Sequence, residues 1–308
     1  MDLSSISWTL LLASLMVSAT PILMAAIGEL VVERSGVLNL GVEGMMILGA
    51  IAGFAAAVTT GSPALGFLFA ALAGAALSMV FGLLTQFLLS NQVATGLALT
   101  LFGLGLSALL GQGFIGIKPP STRDLDLGPL ADIPFLGPVL FSHDLYLYLG
   151  LLSVALVWWV LSYTRAGLIL RATGESAEAA HALGYSVRTV RLLAIAFGGA
   201  MAGLGGAYLS LVRVPQWTEG MTAGAGWIAL AIVVFASWRP WRVLAGAYLF
   251  GGITVLQLNL QAAGAAVPAW FLSMLPYLIT ILVLVLISTG RRGAAAPAAL
   301  GRPFHASS

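Results

Sequence analysis

Cysteine is absent from the 308 residues. That excludes disulfides, thiolate metal sites and a lipidated N-terminal cysteine. Charge is nearly as scarce. Asp, Glu, Lys and Arg make up 8% of the chain, where about 25% is usual for a soluble domain. Histidine is limited to His143, His181 and His305. The first two fall in loops expected on opposite sides of the molecule and the third near the C-terminus, so they form no metal site and no Ser-His-Asp arrangement. No G-x-x-x-x-G-K-[ST] segment occurs, so any ATP that drives this protein is bound by a partner, with its Mg. No catalytic residue and no cofactor in this chain is expected. The N-terminus shows no basic n-region and no A-x-A-like cleavage site, so the first apolar segment is expected to stay as a helix.

Apolar residues fill the chain instead: 60% of it, with a mean hydropathy of +1.02. The runs are continuous over roughly 20 residues, enough to cross a ~30 Å hydrocarbon core as helices and too long for barrel strands. No charged residue occurs between Glu43 and Lys118, a stretch long enough for three spans. Candidate spans are Trp8–Gly28, Met45–Thr60, Ala64–Ser90, Gln92–Ile115, Leu145–Tyr163, Leu192–Val212, Met221–Trp238, Val243–Gln261 and Pro268–Thr289. The fold class is therefore an all-α polytopic membrane protein with about 8–10 transmembrane helices. A single membrane domain is expected over 1–290, and a disordered cytoplasmic tail over 291–308.

The net charge of +2 does not point to nucleic acid, because the basic residues sit at helix ends. Arg165–Arg191, the Arg239/Arg242 turn and the tail with Arg291, Arg292 and Arg302 read as cytoplasmic by the positive-inside rule. The proline-rich loop 116–144 carries Asp124, Asp126, Asp132 and Asp144 against Lys118 and Arg123, and reads as external. Nine spans with the C-terminus inside put the N-terminus outside. Re-entry of Glu29–Gly44 would change that parity.

Two polar segments stand out. The first, RAGLILRATGESAEAAHALGYSVRTVR from Arg165 to Arg191, holds six of the 13 basic and 11 acidic residues. Gly174 and Ser176 can open a short helix there, alanines favour continuing it, and Gly184 is a natural C-terminal stop. Ser186 can cap the next helix. Arg188 and Arg191 share a face and can snorkel to the headgroups. An ordinary interfacial helix and a handle for another protein are equally compatible with these residues.

The second, GELVVERSGVLNLGVEGMMILGA from Gly28 to Ala50, places Glu29, Glu33, Arg34, Asn39 and Glu43 among helix-interrupting glycines. Ionisable groups at membrane depth usually face a cavity, a partner helix or water. Broken helices are a common way to expose backbone to a substrate. A plain cytoplasmic loop with a Glu33–Arg34 surface pair is the alternative. Between Leu192 and Val212, Gly198, Ala202 and Gly206 form one row of small residues and Gly199 and Gly203 another. Tight packing within the chain is the expected use, and a seam between two subunits the alternative. Asn91, Gln92, Thr95, Thr100, Gln112, Trp227, Gln257, Asn259 and Gln261 are the remaining polar or aromatic positions in or near spans. As a lining they would suit a nucleoside or sugar.

EAAHALG, from Glu178 to Gly184, resembles the EAA-x3-G loop of ABC importer permeases. Gly28–Ala50, NQVATGLALTLFGLGLS (Asn91–Ser107) and GAGWIALAIVVFASWRPWRVLAGAYLFGG (Gly224–Gly252) resemble the branched-chain amino-acid, ribose and nucleoside permease family. The likeness is closest to the branch that works with basic-membrane-protein-type nucleoside-binding lipoproteins. The four segments are in order, and the resemblance covers most of the chain, from about residue 20 to 290.

The resemblance implies the permease subunit of an ATP-driven importer in a bacterial cell (inner) membrane. It also implies a cytoplasmic ABC ATPase, a second homologous permease or second copy, and an external binding protein or lipoprotein. Its loop around Arg171, Glu175, Glu178, Ala179, Ala180 and Gly184 would dock on the ATPase as a coupling helix. Nucleosides are the expected substrate class, simple sugars the alternative. Asn39, Glu43 and Trp227 are expected along the substrate path. An ion-coupled secondary transporter using Glu29, Glu33 and Glu43, and a non-transporting scaffold, are the competing readings.

Overall fold

The computed structural model describes residues 8–125, 128–262, 268–288 and 296–305. Along them run eleven α-helices: α1 (Trp8–Arg34), α2 (Val42–Thr60), α3 (Pro63–Gln86), α4 (Gln92–Gly111), α5 (Leu145–Tyr163), α6 (Arg165–Glu175), α7 (Ala177–Ala182), α8 (Val187–Tyr208), α9 (Ala225–Phe235), α10 (Pro240–Ala262) and α11 (Ala269–Ser288). Their starts follow from capping residues. Ser62 accepts from Leu65 N ahead of Pro63, Asn91 from Ala94 N, and Asp144 from Tyr146 N and Leu147 N. Among the described residues, seven helices are long and apolar enough to cross a membrane. The only extended pairing there is an isolated bridge between Asp124 and Asp144 in the loop between α4 and α5. Asp126 lies outside the described residues.

α8 forms the middle of the bundle, and the two rows of small residues are its packing surface. A Cβ on Gly206 would strike the Met46 carbonyl of α2, and one on Gly203 the Ala70 carbonyl of α3. Gly198 lies against Val32 and Gly28 of α1. Tight packing within the chain is therefore what these rows do, because only glycine lets three backbones approach one helix this closely.

Two chain breaks interrupt the bundle. After α1, residues 35–41 fold back into it: Leu38 N donates to Gln92 Oε1 (2.8 Å), Thr100 Oγ1 donates to Leu40 O (3.0 Å), and Gly41 N donates to Asn39 Oδ1 (2.9 Å). After α8, residues 214–224 descend from the far side. Trp217 packs at Gly111, the C-terminal end of α4, and Thr222 reaches the start of α2. α9 begins there. With 11 residues it is about 16 Å long, roughly half a span. The apolar run Met221–Trp238 is thus a re-entrant loop and a half-helix rather than a complete span. The Arg34 guanidinium donates to Trp238 O (3.2 and 3.0 Å), which fixes the end of α1 to the turn after α9, on the α6–α7 side. The start of α1 therefore lies at the opposite end from α6 and α7.

The tail differs from expectation over 296–305. Ala299 N donates to Gly174 O (2.9 Å), Gly301 N donates to Gly36 O (3.1 Å), and Phe304 is buried with Ala177, Ala180 and Val187. Composition alone missed this, because a few backbone hydrogen bonds and one ring in a pocket suffice to order a short segment. Arg291 and Arg292 lie outside the described residues.

Candidate functional site

At the end of the bundle where α1 finishes, the chain builds a two-helix elbow. Thr164 ends α5 and caps α6, its Oγ1 accepting from Gly167 N (3.1 Å). Gly167 then lies directly on the Val160 carbonyl, which makes the corner tight. α6 was not anticipated. It precedes the helix expected around Glu178, and Ser176 separates the two by accepting from Ala179 N (3.2 Å). α7 stops where Gly184 adopts φ +87°, the left-handed conformation that glycine takes without strain. Ser186 does not cap α8 through its side chain; its hydroxyl pairs with Thr189 Oγ1 (2.8 Å).

The elbow sorts the predicted docking residues. Glu175, Glu178, Ala179 and Gly184 are exposed, while Arg171 is partly covered. Ala180 is turned inward with 1% exposure, in the seat of Phe304. It belongs to the support of α7 and not to its outer face, because α7 needs one small-residue face to lie on the tail. Leu183, at 75% exposure, and Tyr185 join the outer face instead. Their signal was two large side chains flanking the helix stop.

Arg191 does not snorkel. It is fully buried, with Nε donating to Ser35 O (3.3 Å) and Nη1 donating to Gln86 Oε1 (3.4 Å) and Arg302 O (3.0 Å). One turn earlier in α8, Arg188 lies over the Phe87 ring at 5.6 Å. The elbow, the Ser35–Gly36 turn and the tail are thereby knitted to α8.

The second locus lies inside the bundle, where the N-termini of α2 and α9 meet. The Glu43 carboxylate, in the first turn of α2, accepts from Thr222 Oγ1 (2.6 Å), Gly224 N (2.9 Å) and Gly226 N (2.7 Å). A negative group at two helix N-termini is favoured by both dipoles and satisfies donors that neither helix can pair itself. Gly226 is required for the approach: its Cβ would stand 2.6 Å from the Glu43 backbone. Asn39 is also buried, with Nδ2 donating to Met45 Sδ at 3.4 Å. Trp227, next along α9, is 47% exposed. The three path candidates thus share one neighbourhood, but Asn39 and Glu43 spend their polar atoms on the chain itself and only Trp227 offers a free surface.

Glu29 and Glu33 form no surface pair with Arg34. Glu29 Oε1 accepts from Asn39 N (3.3 Å), and Glu33 Oε2 accepts from Trp238 Nε1. Three parts of the sequence, the glutamates, the broken helix and the turn at Trp238–Pro240, are therefore one structure.

The family described as "Branched-chain amino acid transport system / permease component" matches residues 11–284. The putative glucose ABC transporter permease protein TsgC13 of Haloferax volcanii is 42% identical, over 94% of this chain and 95% of its own. The nucleoside ABC transporter permease protein NupC of Lactococcus lactis is 32% identical, over 90% of this chain and 92% of its own. Among solved structures, an inward-facing putative metal-chelate type ABC transporter superposes with a TM-score of 0.50 at 18% identity, covering 90% of this chain and 84% of that one; the likeness is one of fold.

Proposed function

The chain belongs to the branched-chain amino acid transport system / permease component family, as a multi-pass ABC transporter permease subunit, and from that premise we propose that it imports nucleosides across a bacterial cell membrane. In this reading a separate ATPase binds ATP and Mg and docks on the elbow. A second permease, homologous or identical, completes the membrane unit. An external binding protein delivers the substrate.

The observation that carries the reading is the exposed outer face of α7. A helix of 6 residues, stopped by a left-handed glycine, presents Glu178, Ala179 and Leu183 to solvent on a base held to α1 and α8. Small residues let a partner groove approach, and a protruding leucine gives it something to bury. Closure of the ATPases would move this elbow, and the buried arginine and the tail would pass the motion to the Ser35–Gly36 turn. Arg171 and Glu175 flank the docking face. Trp227 faces the path, while Asn39 and Glu43 shape its wall from behind.

Simple-sugar import is the second reading, favoured by the 42% identity to a putative glucose permease. One experiment separates these readings. Uptake of radiolabelled adenosine, uridine, ribose and glucose is measured in cells expressing the transporter, with and without replacement of the Walker lysine in the partner ATPase. Uptake lost with that lysine supports the ATP-driven reading, and the accumulated compound names the substrate. Uptake that survives the replacement and collapses with a protonophore refutes it.

A further inference from the structure

The outer half of the bundle holds a cavity of about 300 Å³ that none of the residues discussed so far explains. Its walls come from α1, the end of α8, the re-entrant loop, α10 and α11. Arg213, Ser18, Gln257 and Tyr277 line it, and its floor is the 221–225 segment that Glu43 clamps from below.

Three features mark this as a built site. The Arg213 guanidinium, at the end of the Val187–Arg213 span, makes no hydrogen bond or ion pair among the described residues, so its donors are left for water or a ligand. The Ser18 hydroxyl is buried at 5% exposure and also lacks a partner. The prolines inside α1 and α11, Pro21 and Pro276, both lie on this cavity. Each removes a backbone donor within its helix, which transporters tolerate chiefly where helices surround a cavity.

The chemistry of the walls selects a ligand. Arg213 supplies donors and no acceptor, so it seeks carbonyl, ring-nitrogen or hydroxyl acceptors. Tyr277 and Phe250, with ring centroids 6.2 Å apart, offer aromatic surface. A second cavity behind Ser18 and Arg213 carries Asp124 and Asp144. Both Asp144 oxygens are taken, by Tyr146 N, Leu147 N and Tyr208 Oη, so it does not pair with Arg213. A ligand joining a flat, acceptor-bearing ring to hydroxyls suits these walls.

We propose that the cavity between Ser18, Arg213, Gln257 and Tyr277 is a binding site in the outer half of this permease for an uncharged nucleoside, with the base toward Arg213 and Tyr277 and a hydroxyl toward Ser18. The assignment rests on the permease reading and names a place where its substrate binds.

The test uses the assembled transporter, with its ATPase, in proteoliposomes. Because the chain has no cysteine, Ser18→Cys creates a single reporter with nearly unchanged volume. Its labelling by a membrane-impermeant methanethiosulfonate is timed with and without adenosine, uridine, glucose or inorganic phosphate. The exposed position Thr60→Cys is the control. Adenosine or uridine should slow labelling at position 18 severalfold and leave position 60 unchanged. Arg213→Gln should abolish that protection and lower uptake about tenfold, in a transporter that still assembles with its ATPase.

An unreactive Ser18→Cys, or labelling that no nucleoside slows, overturns the site. Protection by glucose or phosphate alone overturns the nucleoside class. Protection in a transporter whose uptake ignores ATP leaves the site standing and removes the ABC reading. ATP-driven uptake without protection does the reverse.

Discussion

Replacing Glu43 by glutamine tests the junction of the two half-helices with a change of a single atom type. The carboxylate takes three donors, two on Oε1 and one on Oε2. Glutamine keeps one oxygen, which can still serve Thr222 and Gly224. Its amide then confronts Gly226 N, donor against donor. A buried donor left unpaired costs about 1–3 kcal/mol. Losing the negative charge costs roughly 0.3–1 kcal/mol at each of the two helix N-termini. The sum is about 2–5 kcal/mol. At roughly 2–4 °C per kcal/mol, the transporter should unfold about 4–20 °C earlier. Intrinsic tryptophan fluorescence of the purified complex in detergent reads that midpoint. Hydrogen exchange should accelerate in a peptide covering 214–230 and stay unchanged in α3. A midpoint within a degree of the parent, with 224–226 still protected, would refute the clamp.

Other consequences follow from the same geometry. Glu178→Lys should weaken ATPase association at least severalfold in a pull-down and reduce uptake in proportion, since the side chain lies on the exposed face of α7; Ala180→Leu should act differently, displacing Phe304 and lowering thermal stability by about 1–3 kcal/mol through overpacking. Phe304→Ala should loosen the tail and raise exchange in α7 without altering α3. Gly184→Val, at φ +87°, should cost about 1–3 kcal/mol of local strain and reduce coupling of ATP hydrolysis to uptake. Cysteines placed at Glu219 and Glu178 should label from opposite sides of the membrane; labelling from one side would overturn the topology.

Most of the architecture was legible because lipid imposes one solution on an apolar run of span length. The apolar stretches from Trp8 onward land on the observed helices, and Ser176 and Gly184 mark α7 where turn chemistry predicts. Hydropathy misled where it lacks depth resolution. Met221–Trp238 is apolar throughout, but Gly220, Ala223 and Gly224 all take positive φ, and so the first part is loop and only α9 is helix. Arg191 misled for a related reason. Its spacing from Arg188 places both on one face, but which neighbour covers that face depends on Ser35, Gln86 and Arg302, distant in sequence. Ala180 and the tail share that cause. Neither Phe304 nor the alanines announce a partner until the fold brings them together.

The two polar segments that looked independent in sequence are joined. Gly174 at the end of α6 lies on the Arg34 carbonyl and accepts from the tail at Ala299, and the tail in turn donates to Gly36. Arg191 holds the same turn from α8 through Ser35. From there five residues lead to Gly41, and Glu43 fastens α2 to Gly224 and Gly226. A displacement of the elbow therefore cannot be absorbed at the surface. The turn it must move is hydrogen-bonded on both sides, and glycine contacts leave α1 and α8 no slack. The junction at Glu43 differs in kind, since two helix ends are held there by one side chain rather than by continuous backbone. In the ATP-driven reading proposed above, a push on the elbow would be relayed to that junction, which lies beneath the cavity lined by Arg213.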